Sequence, residues 1–448
     1  MAVTEAPRIV TSRFAYDDSH TLDRFLATGG YAGLRAAMAM EPGAVTDIVK
    51  AAIVRGRGGA GFPAGDKWGF LPEGVFPRYL VVNGDESEPG TCKDRPLMER
   101  DPHQLIEGAV ICSYAIKADR AFLYVRGEMA LAQERLVTAL AEAYRAGYLG
   151  RDILGSGYDL DIVLHWGAGA YIVGDETALL ESLEGKRGMP RLKPPYFPAA
   201  KGLYLQPTVV NNVETLSNLG WIMRQGAEAF AALGEGRATG TRVHCLSGHV
   251  KRPGNYEVEL HHTTIRDLIY DPVYGNGIRH DHALKAFIPG GASAPWFYPE
   301  QLDLPLDPDE VGRQGSMLGS GAVVVMDETT CVVRAAWRLV RFFAHESCGK
   351  CTPCREGGSW LEKILARIEA GAGREDDLDL LLDIGDNISP GPFPRPAGRN
   401  GETPVAFPYR RTTICDLGPS AVSPVFSSIW RFRDEYLTHV KDGGCPFR

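Results

Sequence analysis

The chain has 448 residues, 44% hydrophobic and 23% charged, with a formal net charge of -8. That length allows roughly 2–4 structural units, the acidic balance leaves no basic footprint for nucleic acid, and no apolar run approaches the ~20 residues that span a bilayer. Met1-Ala2-Val3-Thr4-Glu5 lacks the basic-then-apolar pattern of a signal peptide, so the chain is expected in the cytoplasm.

In chain order, residues 1–45 read as a lead segment. Thr46 to Arg55 reads as a helix with Thr46 or Asp47 near its cap. A strand–helix rhythm then begins. Strands are predicted at Tyr79–Val82, Ala121–Val125 and Asp161–His165, and helices at Gln104–Ile116, Met129–Ala146 and Glu176–Glu184. Alternation of this kind predicts a parallel sheet with helices on its faces. Near residue 240 the texture changes. Two strands, Arg242–Val250 and Arg252–Leu260, flank a Pro-Gly turn, followed by a helix at Thr264–Tyr270 and a strand at Ala322–Met326. This predicts a small α+β module. Beyond residue 330 the pattern is helical: Val332–Phe343, Trp360–Ile368, Leu378–Ile388 and Phe426–Val440 each carry an apolar face, which suggests a small bundle. Residues 389–411, rich in Pro, Gly and Arg, read as a long surface loop.

The cysteines carry the sharpest chemical signal. Cys348, Cys351 and Cys354 stand at C-x2-C-x2-C spacing on one turn, a ligand pattern for an iron–sulfur cluster that needs one further thiolate. Structural zinc usually takes two separated C-x-x-C pairs, and no second pair is present. Two-cluster ferredoxins repeat the triplet and follow it with Cys-Pro; here Arg355-Glu356 follows. A single [4Fe–4S] cluster fits best. Cys415 and Cys445 are the candidates for the fourth ligand. Cys415, between two predicted helices, is favoured over Cys445-Pro446 near the chain end, where fraying is expected. The scattered Cys92, Cys112, Cys245 and Cys331 read as packing residues.

Three further segments offer ligand contacts. Gly56-Arg57-Gly58-Gly59-Ala60-Gly61 is rich in glycine but follows a predicted helix rather than a strand, so the usual dinucleotide context is absent. Its backbone N–H groups could still approach a ligand, with Lys67 as a cation for a phosphate; a flexible loop is the plainer alternative. Gly167 to Thr177 joins a strand to a helix through glycines, the arrangement that sets a ligand against a helix N-terminus. Asp175 and Glu176 there suit sugar hydroxyls, or else cap the helix. Asn83-Gly84-Asp85-Glu86-Ser87-Glu88 leaves the carboxyl end of a strand, where α/β sheets bind ligands. Asn211-Asn212, taken alone, reads as a turn.

Taken in order, the Gly56–Trp68 loop, Asn83–Gly90, Gly167–Thr177, Arg191–Tyr196, Asn211–Thr215 and the cysteine run resemble the family of FMN- and NADH-binding subunits of respiratory complex I, over roughly residues 20 to 445. The resemblance implies a Rossmann-like FMN domain (46–238), a ubiquitin-like β-grasp (SLBB) domain (239–328) and a C-terminal four-helix bundle with one [4Fe–4S] cluster (329–448). It places FMN contacts on Gly56, Gly58, Lys67, Asn83, Asp85, Glu86, Gly174, Asp175, Asn211, Asn212 and Thr215. It places NADH contacts on Phe62, Phe70, Glu88, Glu176, Lys193 and Tyr196, and cluster ligation on Cys348, Cys351, Cys354 and Cys415. No side chain is implied as a catalytic base. Asp175 and Tyr196 stand where the family commonly has Glu and Phe, and the loop 390–411 looks inserted.

What the resemblance implies about activity is oxidation of NADH through FMN and one-electron export through the cluster, with NADH preferred over NADPH through Glu176. The implied partners are a thioredoxin-like [2Fe–2S] subunit and a large iron–sulfur subunit. Membrane contact is implied only indirectly, on the cytoplasmic face of the inner membrane. Two alternatives stand beside it: an electron-transfer subunit of a soluble formate dehydrogenase or hydrogenase, and a zinc-stapled protein without redox activity.

Overall fold

The computed structural model describes residues 6–399 and 401–447. Its first sheet contains β1 (Tyr79–Gly84), β2 (Arg120–Val125), β3 (Asp161–Trp166) and β4 (Thr208–Asn212), all parallel, in the order β3-β2-β1-β4. Leu80, Val81 and Val82 are all buried, as expected of a central strand covered on both faces. The helix Pro102–Ile116 packs here and is buried almost all round; Asp101 caps it by accepting from Gln104 N–H, and Pro102 at the first position pre-sets its backbone. The helix Ala130–Arg145 adds a more amphipathic layer.

The register decides the site. Asn83 pairs with Tyr124 on one side and Asn212 on the other, so both asparagines stand at the carboxyl ends of neighbouring strands. β4 is therefore a strand where the sequence suggested a turn. Asparagine is a poor strand former, and it is pairing with β1 that extends this segment. The helix expected at Thr46–Arg55 instead spans Pro42–Ala51, with Glu41 at its N-cap and Pro42 inside the first turn. Ile53, at φ 50°, then turns the chain out of the helix toward the glycine loop.

The second sheet runs β6-β5-β8-β7, from β5 (Thr241–Gly248), β6 (Gly254–Glu259), β7 (Leu284–Ile288) and β8 (Ala322–Asp327). β5 is antiparallel to β6 and parallel to β8. β7, which the sequence reading lacked, closes the edge by antiparallel pairing with β8. The helix Ile265–Tyr270 starts on a capping box between Thr264 and Asp267.

Four helices follow: Val332–Glu346, Thr352–Glu369, Asp377–Ile388 and Leu417–Lys441. Val340, Leu361, Leu365, Leu381 and Val425 share their core, each worth about 1.5–3 kcal/mol when fully buried. Trp360, expected on the apolar face, is 53% exposed. The last helix begins nine residues before the expected Phe426 and carries Pro424 inside it. The described residues of 390–411 do not form a free surface loop. Phe393 is buried and stacks on Phe426 with centroids 4.9 Å apart, Arg395 pairs with Val405, and Phe407 N–H donates to Gly312 O. No described helix is long and apolar enough to cross a membrane.

Candidate flavin, nucleotide and iron–sulfur site

A cleft of about 1210 Å³ opens at the carboxyl ends of the first sheet. The glycine loop forms one wall, the exits of β1 and β4 the floor, and loops of the second sheet and residues 406–409 the far side. Gly58, Asn83, Asp85, Glu86, Gly174, Asp175 and Asn212 line it, together with Glu88 and Cys415.

Each lining side chain is held in place. Asn83 donates from Nδ2 to Gly174 O at 2.9 Å and accepts at Oδ1 from Asp85 N–H, tying the β1 exit to the Gly167–Thr177 segment. Asp85 accepts from the Ser87 hydroxyl at Oδ1, while its buried Oδ2 has no donor. Burial pushes the Asp85 carboxyl up to about 6. Glu86 accepts backbone N–H groups of Lys93, Asp94 and Arg95, so it caps the helix Asp94–Arg100. Asp175 caps the helix Glu176–Leu183 by accepting from Thr177 N–H at 2.9 Å and Ala178 N–H at 3.1 Å. Asn212 caps the next helix while donating to Asp94 at 2.7 Å. Glu88 accepts from the Tyr171 hydroxyl and from Ser293 N–H, which locks the first sheet to the second.

The other expected flavin contacts stand behind the wall. Gly56 N–H donates to Phe62 O, closing the glycine loop on itself. Thr215 Oγ1 accepts from Arg57 N–H at 2.9 Å, and Asn211 accepts from the Trp68 indole N–H. Lys67 donates to Glu176 at 2.7 Å and to Val210 O at 2.9 Å.

Glu176 is gripped from its other side by Lys193 at 3.0 Å. Burial alone would raise its pKa, but Lys67 and then Lys193 outweigh burial and hold the carboxyl at about 2. Phe62 and Phe70 flank the short helix Ala64–Trp68, with centroids 5.6 Å apart, and are 48% and 61% exposed. Tyr196 is also exposed. These are apolar faces open to a flat ring.

Cys348, Cys351, Cys354 and Cys415 pack on one apolar cluster beside the first sheet, close enough that Cys348 and Cys351 act on the Cys354 thiol and Cys348 and Cys354 on the Cys415 thiol. Gly349, at φ 79°, makes the turn between the first two, and Arg355 donates to Gly349 O to close it. Ile414 N–H donates to Cys351 Sγ at 3.2 Å, bringing the Cys415 segment against the triplet. The helices Thr352–Glu369 and Leu417–Lys441 both begin here, so two N-termini favour negative charge at the centre. Burial, then Asp175 and the neighbouring thiols, push Cys415 up to about 12. Among the described residues, three or more ligand atoms mutually within 4.8 Å occur only elsewhere, so these thiols are spread wider than that. A single zinc would draw its sulfurs to about 3.8 Å from one another. Among the described residues, no three of these thiols already meet at such a spacing.

Residues 49–221 match the Nuo51 FMN-binding domain, and residues 334–393 match the NADH-ubiquinone oxidoreductase-F iron-sulfur binding region. The NADH-quinone oxidoreductase F subunit of Mycobacterium bovis is 53% identical, over 93% of this chain and 89% of its own length. The F subunit of Streptomyces coelicolor is 52% identical, over 96% and 90%. The chain belongs to the family of NADH-quinone oxidoreductase F subunits. A second F subunit of Rhizobium meliloti is 46% identical over 96% and 97%. A solved NAD+-reducing [NiFe]-hydrogenase in the H2-reduced state shares 33% identity at a TM-score of 0.78, covering 99% of this chain and 69% of that chain. As a member of this family, the protein is the NADH-oxidising part of an oxidoreductase, with FMN and a [4Fe–4S] cluster as cofactors.

The donors present fit these groups. Asp85 Oδ2 awaits a hydroxyl, and buried guanidinium nitrogens of Arg57 and Arg242 at the cleft wall lack acceptors, as an anionic phosphate would supply. A Cβ on Gly58 would come within 3.1 Å of Asn212 Cβ, so glycine keeps that wall open. Arg57 and Arg242 were missed by sequence reasoning. Arg57 lay inside the glycine run, but Lys67 looked like the natural phosphate cation there; Arg242 lay in a strand of another module.

Proposed function

We propose that the cleft and the thiol cluster form one continuous electron path, entered at the exposed aromatic face and left at the cysteine turn. The observation that carries this reading is Cys415: it lines the flavin-sized cleft and also belongs to the thiol cluster. Bound FMN would take a hydride from NADH, and the cluster would carry the electrons onward one at a time.

In this reading Gly58, Asn83, Asp85, Glu86, Gly174, Asp175 and Asn212 border the flavin, with Arg57 and Arg242 toward its phosphate. Gly56, Lys67, Asn211 and Thr215 hold that border in position from behind. Phe62, Phe70 and Tyr196 stack the dinucleotide, and Glu88, Glu176 and Lys193 face its polar parts. Cys348, Cys351, Cys354 and Cys415 ligate the cluster. No side chain moves a proton in the hydride step; the residues bind, orient and exclude water.

We divide the chain into 46–238, 239–328 and 329–448, after a lead segment 1–45; the two sheets support the first boundary, although Phe25, Tyr31 and Leu34 of the lead segment pack into the first core and Trp296 and Met326 share the core of the helices. We read the second unit as a ubiquitin-like β-grasp and the third as a four-helix bundle. The half-buried Cys348 and Cys351 put an exit within reach of a partner. We take the partners to be a thioredoxin-like [2Fe–2S] subunit and a large iron–sulfur subunit, in an assembly on the cytoplasmic face of the inner membrane. The hydrogenase likeness favours a second reading, an electron-transfer subunit of a soluble dehydrogenase. The higher identity to the NADH-quinone oxidoreductase chains supports the first.

The anaerobically purified chain should show flavin bands with a broad brown shoulder. A colourless protein would overturn the path. Co-purification separates the two assemblies: membrane-arm subunits support complex I, and a nickel or molybdenum subunit supports the second reading.

A further inference from the structure

We propose that Cys331, Glu369, His439 and Cys445 form a second metal centre, a buried tetrahedral zinc site at the end of the helical unit remote from the cysteine triplet. Its two cysteines are ones that the sequence left as a packing residue and a rejected cluster ligand. All four residues are buried, and their ligand atoms lie within 4.8 Å of one another.

The spacing is that of ligands around one ion. Cys331 Sγ is 3.3 Å from His439 Nε2 and 3.7 Å from Glu369 Oε2, and His439 Nε2 is 3.6 Å from Glu369 Oε2. Zinc bonds of ~2.3 Å to sulfur and ~2.0–2.2 Å to nitrogen and oxygen give tetrahedral edges of about 3.4–3.8 Å. The donor set, two thiolates, an imidazole and a carboxylate, suits zinc rather than calcium or magnesium.

Each of three ligands is also oriented from behind. His439 Nδ1 lies 2.7 Å from Glu435 O, a carbonyl that can only accept, so Nδ1 carries the proton and Nε2 of the neutral ring presents a lone pair. That lone pair then faces the Glu369 carboxylate, two acceptors that a cation between them would satisfy together. Arg334 holds Glu369 Oε1 through its guanidinium at 2.7 Å, leaving Oε2 toward the centre. Arg334 N–H donates to Cys331 Sγ at 3.3 Å. With both thiols deprotonated, zinc leaves the four ligands one negative charge, which Arg334 balances.

The centre has no part in electron flow. Cys331 caps the helix Val332–Glu346, whose 15 residues span about 22 Å, and the triplet begins beyond its opposite end. Zinc is redox-inert. Its effect is to tie the Cys445 tail to the ends of three helices.

The test is zinc and iron analysis of the full chain purified anaerobically, with zinc-edge X-ray absorption. About one zinc per chain is expected beside the iron, in a shell mixing sulfur at ~2.3 Å with nitrogen or oxygen at ~2.0–2.1 Å. Cys445→Ser and His439→Ala should each lower zinc to below about a tenth per chain while iron and flavin stay unchanged. If those variants do not fold, the parent's metal content and shell decide alone. A folded, iron-loaded parent without zinc overturns the proposal. So does a shell of four sulfurs, which would put zinc among the triplet cysteines, or a Cys331–Cys445 disulfide found by mass spectrometry.

Discussion

Asp85 and Glu176 show how an acidic side chain takes opposite charge behaviour from its surroundings. Burial without a donor for Oδ2 raises Asp85 to about 6. An acid whose folded pKa lies above its unfolded one is bound to its proton more strongly in the fold. Stability therefore falls as pH rises through this range and stays lowered above it. Asp85→Asn removes that penalty, so at pH 7 the flavin-free chain should melt a few degrees higher, while flavin dissociation should be about tenfold easier. Thermal scans and fluorescence titration check both; a variant that binds FMN as tightly as its parent would take Asp85 out of the site. Glu176 is the reverse case. Its carboxyl is held at about 2 by Lys67 and Lys193 against the cost of burial, so its contribution is complete above the usual carboxylate range and is lost only as pH falls toward 2. Glu176→Gln frees both lysines for a 2′-phosphate. The ratio of NADPH to NADH kcat/KM should rise by about tenfold, and an unchanged ratio in steady-state assays would remove Glu176 from coenzyme choice. The acids were legible as site candidates in sequence. Which of them would be neutralised was not, because both lysines come from other segments.

Asp175 acts on a helix as a unit. The sequence left it between sugar contact and helix cap, and its carboxylate does cap the helix Glu176–Leu183. Asp175→Ala should cost about 1 kcal/mol, a fall in Tm of roughly 2–4 °C. Asp175→Asn caps as well as Asp and should restore most of it. If Asn melts as early as Ala, the carboxylate charge rather than the cap is what matters. Most helices and the central strands were readable because their periodicity is local. β4 and β7 were not: one ends in Asn-Asn, the other is a five-residue edge, and both exist through partners far along the chain. The loop 390–411 misled for the same reason. Its composition is that of a free loop, yet Phe393 packs on the last helix and Phe407 N–H reaches Gly312 of the second unit.

Across the molecule, the cleft is walled by the first sheet, the second sheet and the segment preceding the last helix, so no single unit holds the complete site. Flavin reduction and electron export are then separable. In the assembled complex, Cys354→Ser should keep NADH-dependent ferricyanide reduction close to the parent rate and lose most quinone reduction. Both are followed spectrophotometrically, and unimpaired quinone reduction would remove the cluster from the path.

The parallel sheet, the glycine loops and the C-x2-C-x2-C turn were legible in the amino-acid order, because their signals lie within a few residues: strand alternation, glycine content and cysteine spacing. Those signals were enough to bring out the family. Which charges meet was settled by folding alone: Lys67 and Lys193 on Glu176, unsatisfied guanidinium nitrogens of Arg57 and Arg242 at the cleft wall, and Cys415 beside the triplet. Folding also set Cys331 and Cys445 against His439 and Glu369. Ligand convergence is a property of distances in space, and residues a hundred positions apart carry no local trace of it.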